Sequence, residues 1–192
     1  MAKKESTFKN MTIALFVITA VAGLTLATVY SVTKEPITMS QKAKINGAIQ
    51  RVIPDFDAIA DTVLMPEDGS DSITIHRLTK KGVSSGYAVE TYTDKGFSGR
   101  FSLMVGFQAD GSITNIEVLE HKETPGLGTK MALPAFKDQF KGLKMAELSG
   151  QKLKVKKDGG TVDAITAATI SSRAFCDAVN RAHETYIKGE KQ

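Results

Sequence analysis

The pattern of hydrophobic and polar positions divides the 192-residue chain into one long apolar run and a longer region of mixed character. Residues 11–30 contain no charged side chain. A helix of about 20 apolar residues is long enough to cross the hydrocarbon core of a bilayer. Threonine hydroxyls in the run can bond back to helix carbonyls, and Gly23 is tolerated in a membrane helix. The pattern therefore predicts a transmembrane anchor over residues 11–30.

Two other interpretations share part of this pattern. A cleavable signal peptide also starts with basic residues, and Ala20-Val21-Ala22 could serve as its cleavage site. The apolar sequence continues well past Ala22, however, whereas a signal peptide has an apolar region of about 7–15 residues. A buried helix of a soluble domain would rarely be so free of charge. We therefore favour an uncleaved anchor.

The charges on either side of the run predict its orientation. Lysines precede it, whereas the other side begins Lys34-Glu35-Pro36 without a comparable basic cluster. The positive-inside tendency then makes residues 1–10 a cytoplasmic tail and places the rest of the chain outside the cytoplasm. The chain is thus expected to cross a membrane once, with its C-terminal domain outside the cytoplasm.

Residues 34–65 are predicted to form a juxtamembrane helical segment. Pro36 is expected to end the membrane helix, and the apolar spacing over residues 40–52 fits a short amphipathic helix that stops before Pro54. The polar run over residues 66–72 predicts a loop.

Residues 66–192 are predicted to form one domain with a mostly antiparallel sheet and packed helices, an α+β fold. Alternation predicts strands over residues 72–78 and 87–92. The clearest hairpin joins residues 99–107 to 112–119 through Asp110-Gly111, a pair favoured in tight turns, with a bulge in the second strand. Further predictions are a helix over residues 131–143, an exposed edge strand over 152–156 and a closing helix over 171–187.

Composition and charge exclude some classes of function. Hydrophobic residues make up 42% and charged residues 24%, which are ordinary values for a globular protein. Half of the net charge of +4 comes from Lys3, Lys4, Glu5 and Lys9, so the rest is too weakly basic to predict a nucleic-acid surface. The three histidines lack ligand spacing, so we expect no metal site, and the single cysteine, Cys176, excludes an intrachain disulfide.

One candidate for chemistry is the segment Asp163 to Ser172, DAITAATISS, which combines an acid, small residues and hydroxyls. Ser171 and Ser172 are good N-cap residues for the closing helix. The free amides of its first turn would then lie near Thr169 and form a ready phosphate site. From the residues alone, a strand end followed by a capped helix, with every hydroxyl in local turn bonds, is the favoured interpretation of the segment.

A second candidate is the segment Glu123 to Gly128, ETPGLG, which follows the hairpin. Its glycines would let the backbone approach a flat ligand, and Leu127 offers an apolar face, although a tight turn would need the same glycines. The segment lacks the third glycine of a dinucleotide fingerprint and the Gly-Lys-Ser/Thr end of a phosphate loop, so nucleotide hydrolysis is not indicated.

Several motifs together resemble one protein family. They are Gly96-Phe97-Ser98-Gly99, Met104-Val105-Gly106-Phe107, the Asp110-Gly111 turn, the run His121 to Gly128 and the segment Asp163 to Ser172. In order and spacing, and with the single anchor, the chain resembles the G subunits of Rnf ion-translocating electron-transport complexes over nearly its whole length. The C subunits of sodium-translocating NADH:quinone reductases are a related and usually longer type.

The resemblance implies a covalent flavin mononucleotide (FMN) that a flavin transferase attaches to Thr169 by a phosphoester bond. It also implies that Asp163, Thr166 and Ala168 are recognition or packing elements, while other residues line the flavin: Glu123, Thr124, Gly126, Leu127 and Gly128. No catalytic residue is implied, because the flavin does the redox chemistry. The chain departs from the family at Ala167, where glycine is common, so a positive φ there would be strained.

The implied function is electron relay within a membrane-bound complex that couples ferredoxin and NAD oxidoreduction to ion pumping. The expected partners are the other membrane subunits, the flavin transferase and membrane lipid, with no nucleic acid. Three alternatives are the C-type component of a sodium-translocating NADH:quinone reductase, a membrane-anchored flavin-binding module without electron transfer, and a soluble-type flavin reductase. The last needs a nicotinamide site, and the sequence offers none.

Overall fold

A computed structural model describes residues 7–65, 71–148 and 152–190. The chain divides into two compact units, Met1–Lys44 and Ile45–Gln192. The first helix, α1 (Phe8–Val52), contributes residues to both units.

The N-terminal part of α1 is long and apolar enough to cross a membrane. Its side chains are exposed from Phe8 onward, apart from the half-buried Asn10. The hydroxyls of its threonines donate to carbonyls four residues earlier, for example from Thr19 to Leu15 at 2.9 Å and from Thr25 to Val21 at 2.8 Å. The predicted return of hydroxyls to the helix backbone is therefore confirmed, and it satisfies these polar groups without water.

Pro36 does not end this helix, contrary to the sequence-based expectation, because α1 continues through it to Val52. A proline inside a helix removes one backbone hydrogen bond and favours a kink without preventing the helix from resuming. The resumed helix is stabilised by packing, since Ala48, Ile49 and Val52 are fully buried.

Five strands form a single antiparallel sheet in the order of the chain. This confirms the predicted α+β class and the mostly antiparallel sheet. The strands are β1 (Ala58–Leu64), β2 (Ile73–Lys80), β3 (Val83–Thr93), β4 (Phe101–Phe107) and β5 (Ile113–Glu120). Strand β1 lies where a helical segment was expected, so the helical character of residues 34–65 ends at Val52. Of the predicted loop over residues 66–72, only residues 71 and 72 are described, and they are irregular.

The sheet separates two hydrophobic clusters. On one face, the end of α1 packs on the sheet through residues such as Ile49, Val52 and Met104. The larger cluster on the other face joins the sheet to helix α3 (Thr169–Glu190) and to the short helices that precede it. The predicted apolar face of α3 is confirmed, since its members are all buried: Ala174, Phe175, Ala178, Val179 and Ala182.

The β4–β5 hairpin is formed as predicted, with register shifts that confirm a bulge. Gly111 has a φ of 77°, a conformation that glycine adopts without strain. The Asp110 carboxylate accepts from the Ser112 amide at 3.0 Å and pairs with Lys144 at 2.8 Å. These contacts hold the pKa of Asp110 well below its usual range, with the Lys144 contact as the largest cause.

Two predicted elements are wrong. The helix expected over residues 131–143 is a set of short turns around α2 (Pro134–Lys137), because Leu133 is extended and Pro134 begins a new turn. The edge strand expected over residues 152–156 is absent from the described sheet. Its alternation arises because Leu153 and Val155 are buried, and the side chain of Asn180 on α3 pairs with both the N–H and the carbonyl of Leu153, at 2.8 and 3.0 Å.

Candidate functional site

The two segments selected from the sequence meet at one pocket of about 280 Å³. One wall comes from the loop after β5 and the other from the start of α3, while Phe97 stands at the rim on the turn between β3 and β4. The lining residues are Phe97, Glu123, Thr124, Leu127, Gly128, Ala167, Ala168, Thr169, Ile170 and Ser171.

Thr169 is the first residue of α3 and is half-buried in this pocket. Its hydroxyl makes no hydrogen bond within the part of the chain that the structure describes. The amide of Ala168 donates to the Ile165 carbonyl at 2.9 Å, and the amide of Ser172 donates to the Ala168 carbonyl at 3.0 Å. The amides of Thr169, Ile170 and Ser171 lie between these bonds at the helix N-terminus, where backbone donors lack helical acceptors and attract anions.

Ser171 and Ser172 lie inside the helix, so the expectation that one of them is its N-cap is wrong. Both side chains are buried. The Ser172 hydroxyl donates to the Ala168 carbonyl at 3.0 Å and accepts from the Ile165 amide at 2.9 Å. It thereby ties the segment before the helix to the first helical turn, and this contact fixes the backbone next to Thr169.

Glu123 joins three parts of the chain at the base of the pocket, and only 4% of it is exposed. Its Oε1 accepts from the Ser98 amide at 3.2 Å, and its Oε2 accepts from the Ser171 hydroxyl at 2.8 Å. The turn after β3, the loop after β5 and the start of α3 are therefore held together by one carboxylate.

The loop from Thr124 to Thr129 is a compact turn. The Leu127 amide donates to the Thr124 carbonyl at 3.2 Å, and the Gly126 amide donates to Thr129 Oγ1 at 3.0 Å. Gly126 has a φ of 74°, so this position needs glycine. The turn leaves Leu127 39% exposed at the mouth of the pocket.

Three large apolar side chains form the rim of the pocket. Leu127, Ile170 and Phe97 are 39%, 47% and 66% exposed, so they are not buried in either hydrophobic cluster of the domain. Exposed apolar groups that converge on one concavity are typical of a ligand site for a flat apolar ring. Phe97, Ile170 and Ser171 lie in motifs quoted from the sequence but were not predicted to line the site. Only the neighbouring glycines of Gly96-Phe97-Ser98-Gly99 could have indicated Phe97.

The pocket has one ionisable side chain among its described lining residues, the carboxylate of Glu123, and no lysine or arginine. Among the lining residues, the donors available to an anion are therefore backbone amides and hydroxyls. Three residues selected from the sequence are not among the lining residues: Asp163, Thr166 and Gly126. Asp163 pairs with Lys156 at 2.7 Å, and Thr166 is exposed.

Ala167 has a φ of 61°, the left-handed conformation that was expected to strain a residue at this position. A residue with a Cβ in this conformation costs roughly 1–2 kcal/mol. Ala167 is exposed, so its methyl group contributes little packing.

We expect Ala167→Gly to stabilise the domain by about 0.5–1 kcal/mol, because relief of the strain exceeds the extra entropy of a glycine in the unfolded chain. Urea unfolding measures the change. The matched control is Ala168→Gly, where φ is not positive and the side chain is buried, and it should destabilise the domain by about 1 kcal/mol. Equal destabilisation by both variants would contradict the strain at Ala167.

Comparison with known proteins agrees with this geometry. Residues 96–184 match the FMN-binding domain family, and these residues include the whole pocket. The fold and the site therefore define a flavin-binding domain.

Curated relatives identify the family more narrowly. The G subunit of the ion-translocating oxidoreductase complex of Methanosarcina acetivorans is 34% identical over 184 residues, which cover 93% of this chain and 94% of the relative. The corresponding G subunit of Aliivibrio fischeri is 32% identical, with 90% and 86% covered. The chain belongs to the family of G subunits of ion-translocating oxidoreductase complexes, which confirms the resemblance noted in the sequence.

A solved structure supports the fold. The C subunit of the Na⁺-translocating NADH-quinone reductase from Parabacteroides distasonis superimposes with a TM-score of 0.60, covering 79% of this chain and 94% of that protein. At 19% identity, this similarity concerns the fold alone.

Proposed function

We propose that this chain is the electron-carrying subunit of a membrane-bound, ion-translocating ferredoxin:NAD oxidoreductase, and that its FMN is joined to Thr169 by a phosphoester bond. The family and the FMN-binding domain support the flavin and the electron-carrying role. The observation that supports the covalent bond concerns the hydroxyl of Thr169. It has no hydrogen-bond partner among the described residues, and it lies in the pocket beside the amides of a helix N-terminus.

The charge of the pocket supports attachment over reversible binding. A phosphate monoester carries about 1.5–2 negative charges near neutral pH, whereas a diester carries only one. The lining residues provide no cationic side chain and include the carboxylate of Glu123. The lining residues would give the phosphate of free FMN no cationic partner, whereas esterification removes part of the phosphate charge and supplies the retention that these side chains lack.

Each wall of the pocket then has a role toward the bound group. The amides that begin α3 would hold the phosphate. Leu127, with Phe97 and Ile170, would pack against the ring, while Thr124 and Gly128 shape the wall opposite Thr169. Asp163, Thr166 and Ala168 would serve recognition by the transferase or local packing. The flavin supplies the electron transfer, and the protein binds and orients it.

The remaining parts of the proposal concern the membrane. Residues 11–30 would cross the bacterial inner membrane, residues 1–10 would be cytoplasmic, and the compact unit from Ile45 onward would face the periplasm. The expected partners are membrane lipid, a flavin transferase and the other subunits of the complex. No complete turnover is expected from this chain alone.

Mass spectrometry of the full-length chain, extracted from cells that contain its transferase, tests the attachment. We expect an intact mass that exceeds the polypeptide by one FMN less one water, with the added mass on the peptide that contains Thr169. A bare polypeptide would contradict the covalent bond. Digestion of intact spheroplasts with an added protease tests the orientation, because a periplasmic domain should be cleaved while the membrane is sealed.

A further inference from the structure

The buried carboxylate of Glu123 sits in a cradle made largely of backbone. A Cβ added at Gly96 would lie 2.7 Å from Oε1, and one added at Gly128 would collide with Oε2 and lie 2.8 Å from the Cβ of Glu123. Glycine on both sides leaves space for this one side chain, which lines the pocket.

The contacts of Glu123 are those of an ionised carboxylate. Both of its hydrogen bonds come from donors, the Ser98 amide and the Ser171 hydroxyl. A carboxylate that is ionised is an acceptor only, which matches this pair of donors. None of the ion pairs among the described residues includes Glu123. The carboxylate of Glu123 therefore lies in the pocket with two neutral donors and, among the described residues, no cationic partner.

We infer that Glu123 lowers the reduction potential of the flavin, an inference that rests on the proposed function. When a reductant delivers two electrons to a flavin and the solvent supplies one proton, the ring is left with one negative charge. The Glu123 carboxylate repels that added charge and so favours the oxidised ring. At an effective dielectric constant near 20, two charges about 10 Å apart repel strongly enough to change an equilibrium constant about tenfold.

The test is a redox titration of the flavin-loaded protein with and without this charge. Glu123→Gln has the same shape, and its amide can accept from the Ser98 N–H and donate to the Ser171 hydroxyl. We expect the ratio of reduced to oxidised flavin at a fixed potential to rise about tenfold, which raises the midpoint of a two-electron couple by about 30 mV. The matched control is Glu120→Gln, because Glu120 is exposed at the end of β5 and solvent screens its charge.

A second measurement needs no variant. The flavin in the native wild-type protein should be harder to reduce than the same flavin on the peptide released by proteolysis. Equal midpoints for loaded wild-type and Glu123→Gln proteins, or an easier reduction of the native protein than of the peptide, would overturn the inference. A folded Glu123→Gln protein without flavin would also overturn it, because Glu123 would then act in attachment. Absence of flavin from the wild-type chain would instead contradict the proposed function.

Discussion

Thr169→Val should abolish covalent flavin while leaving the domain folded. Valine keeps the β-branched shape of threonine but lacks the hydroxyl that is proposed to form the phosphoester bond. The change in stability should stay below about 1 kcal/mol, because the side chain is half-buried and no hydrogen bond is lost. In-gel fluorescence after denaturation measures the attached flavin, and circular dichroism with thermal unfolding measures the fold. We also expect no flavin to remain after native purification, since no cationic side chain among the described lining residues would hold free FMN.

The matched control is Thr166→Val, three residues earlier in the same segment. Thr166 is exposed and is not among the lining residues of the pocket, so this variant should keep its fluorescence. A Thr169→Val protein that stays fluorescent after denaturation would place the bond on another residue. Loss of flavin in both variants would point instead to recognition of the whole segment by the transferase.

Gly128→Ala should destabilise the domain by about 2–3 kcal/mol and reduce flavin loading. The φ of Gly128 is not positive, so the cost is steric. An added Cβ would lie 2.8 Å from the Cβ of Glu123 and 2.9 Å from the Ser171 hydroxyl, and both of these residues are buried. The start of α3 must then move, and Thr169 moves with it. Urea unfolding and in-gel fluorescence of the same preparation measure the two effects.

Gly126→Ala, two residues earlier in the same loop, measures the cost of backbone strain without a steric collision. Its added Cβ meets no atom within 4 Å, but its φ is 74°. It should cost about 1 kcal/mol and leave loading nearly unchanged, because the pocket wall is undisturbed. A Gly128→Ala variant that is no less stable than Gly126→Ala would contradict the close packing around Glu123.

The parts of the fold that could be predicted are those whose local pattern and tertiary role agree. The β4–β5 hairpin has a turn sequence between two apolar strands, and α3 has a continuous apolar face. Strand β1 was missed because it is exposed along most of its length and therefore has no clear alternation. Residues 152–156 were misread because their alternation reflects burial against α3: Asn180 bonds to the backbone of Leu153, and the segment forms only an isolated bridge, from Val155 to Val162.

The residue types of the candidate site could be predicted from the sequence, whereas the backbone structure that positions them could be predicted only in part. Both segments that line the pocket could be selected from their glycines, hydroxyls and acid. The family resemblance also indicated that a positive φ at Ala167 would be strained, and the structure has that φ. The start of α3 at Thr169 could not be deduced, because Ser171 and Ser172 look like caps although their side chains are buried in contacts with Glu123 and Ala168. The contact between Ser171 and Glu123 joins residues that are far apart in sequence, and no local pattern predicts it.

The position of Thr169 at the beginning of α3 determines how far a cofactor bonded to it could travel. That helix packs across the sheet through a row of buried side chains, so its first turn moves only if the core beneath it moves. A flavin attached there would therefore have a fixed attachment point rather than a mobile one. In the proposed complex, any distance too long for electron transfer would have to be closed by motion of the neighbouring subunits or of the proposed membrane anchor.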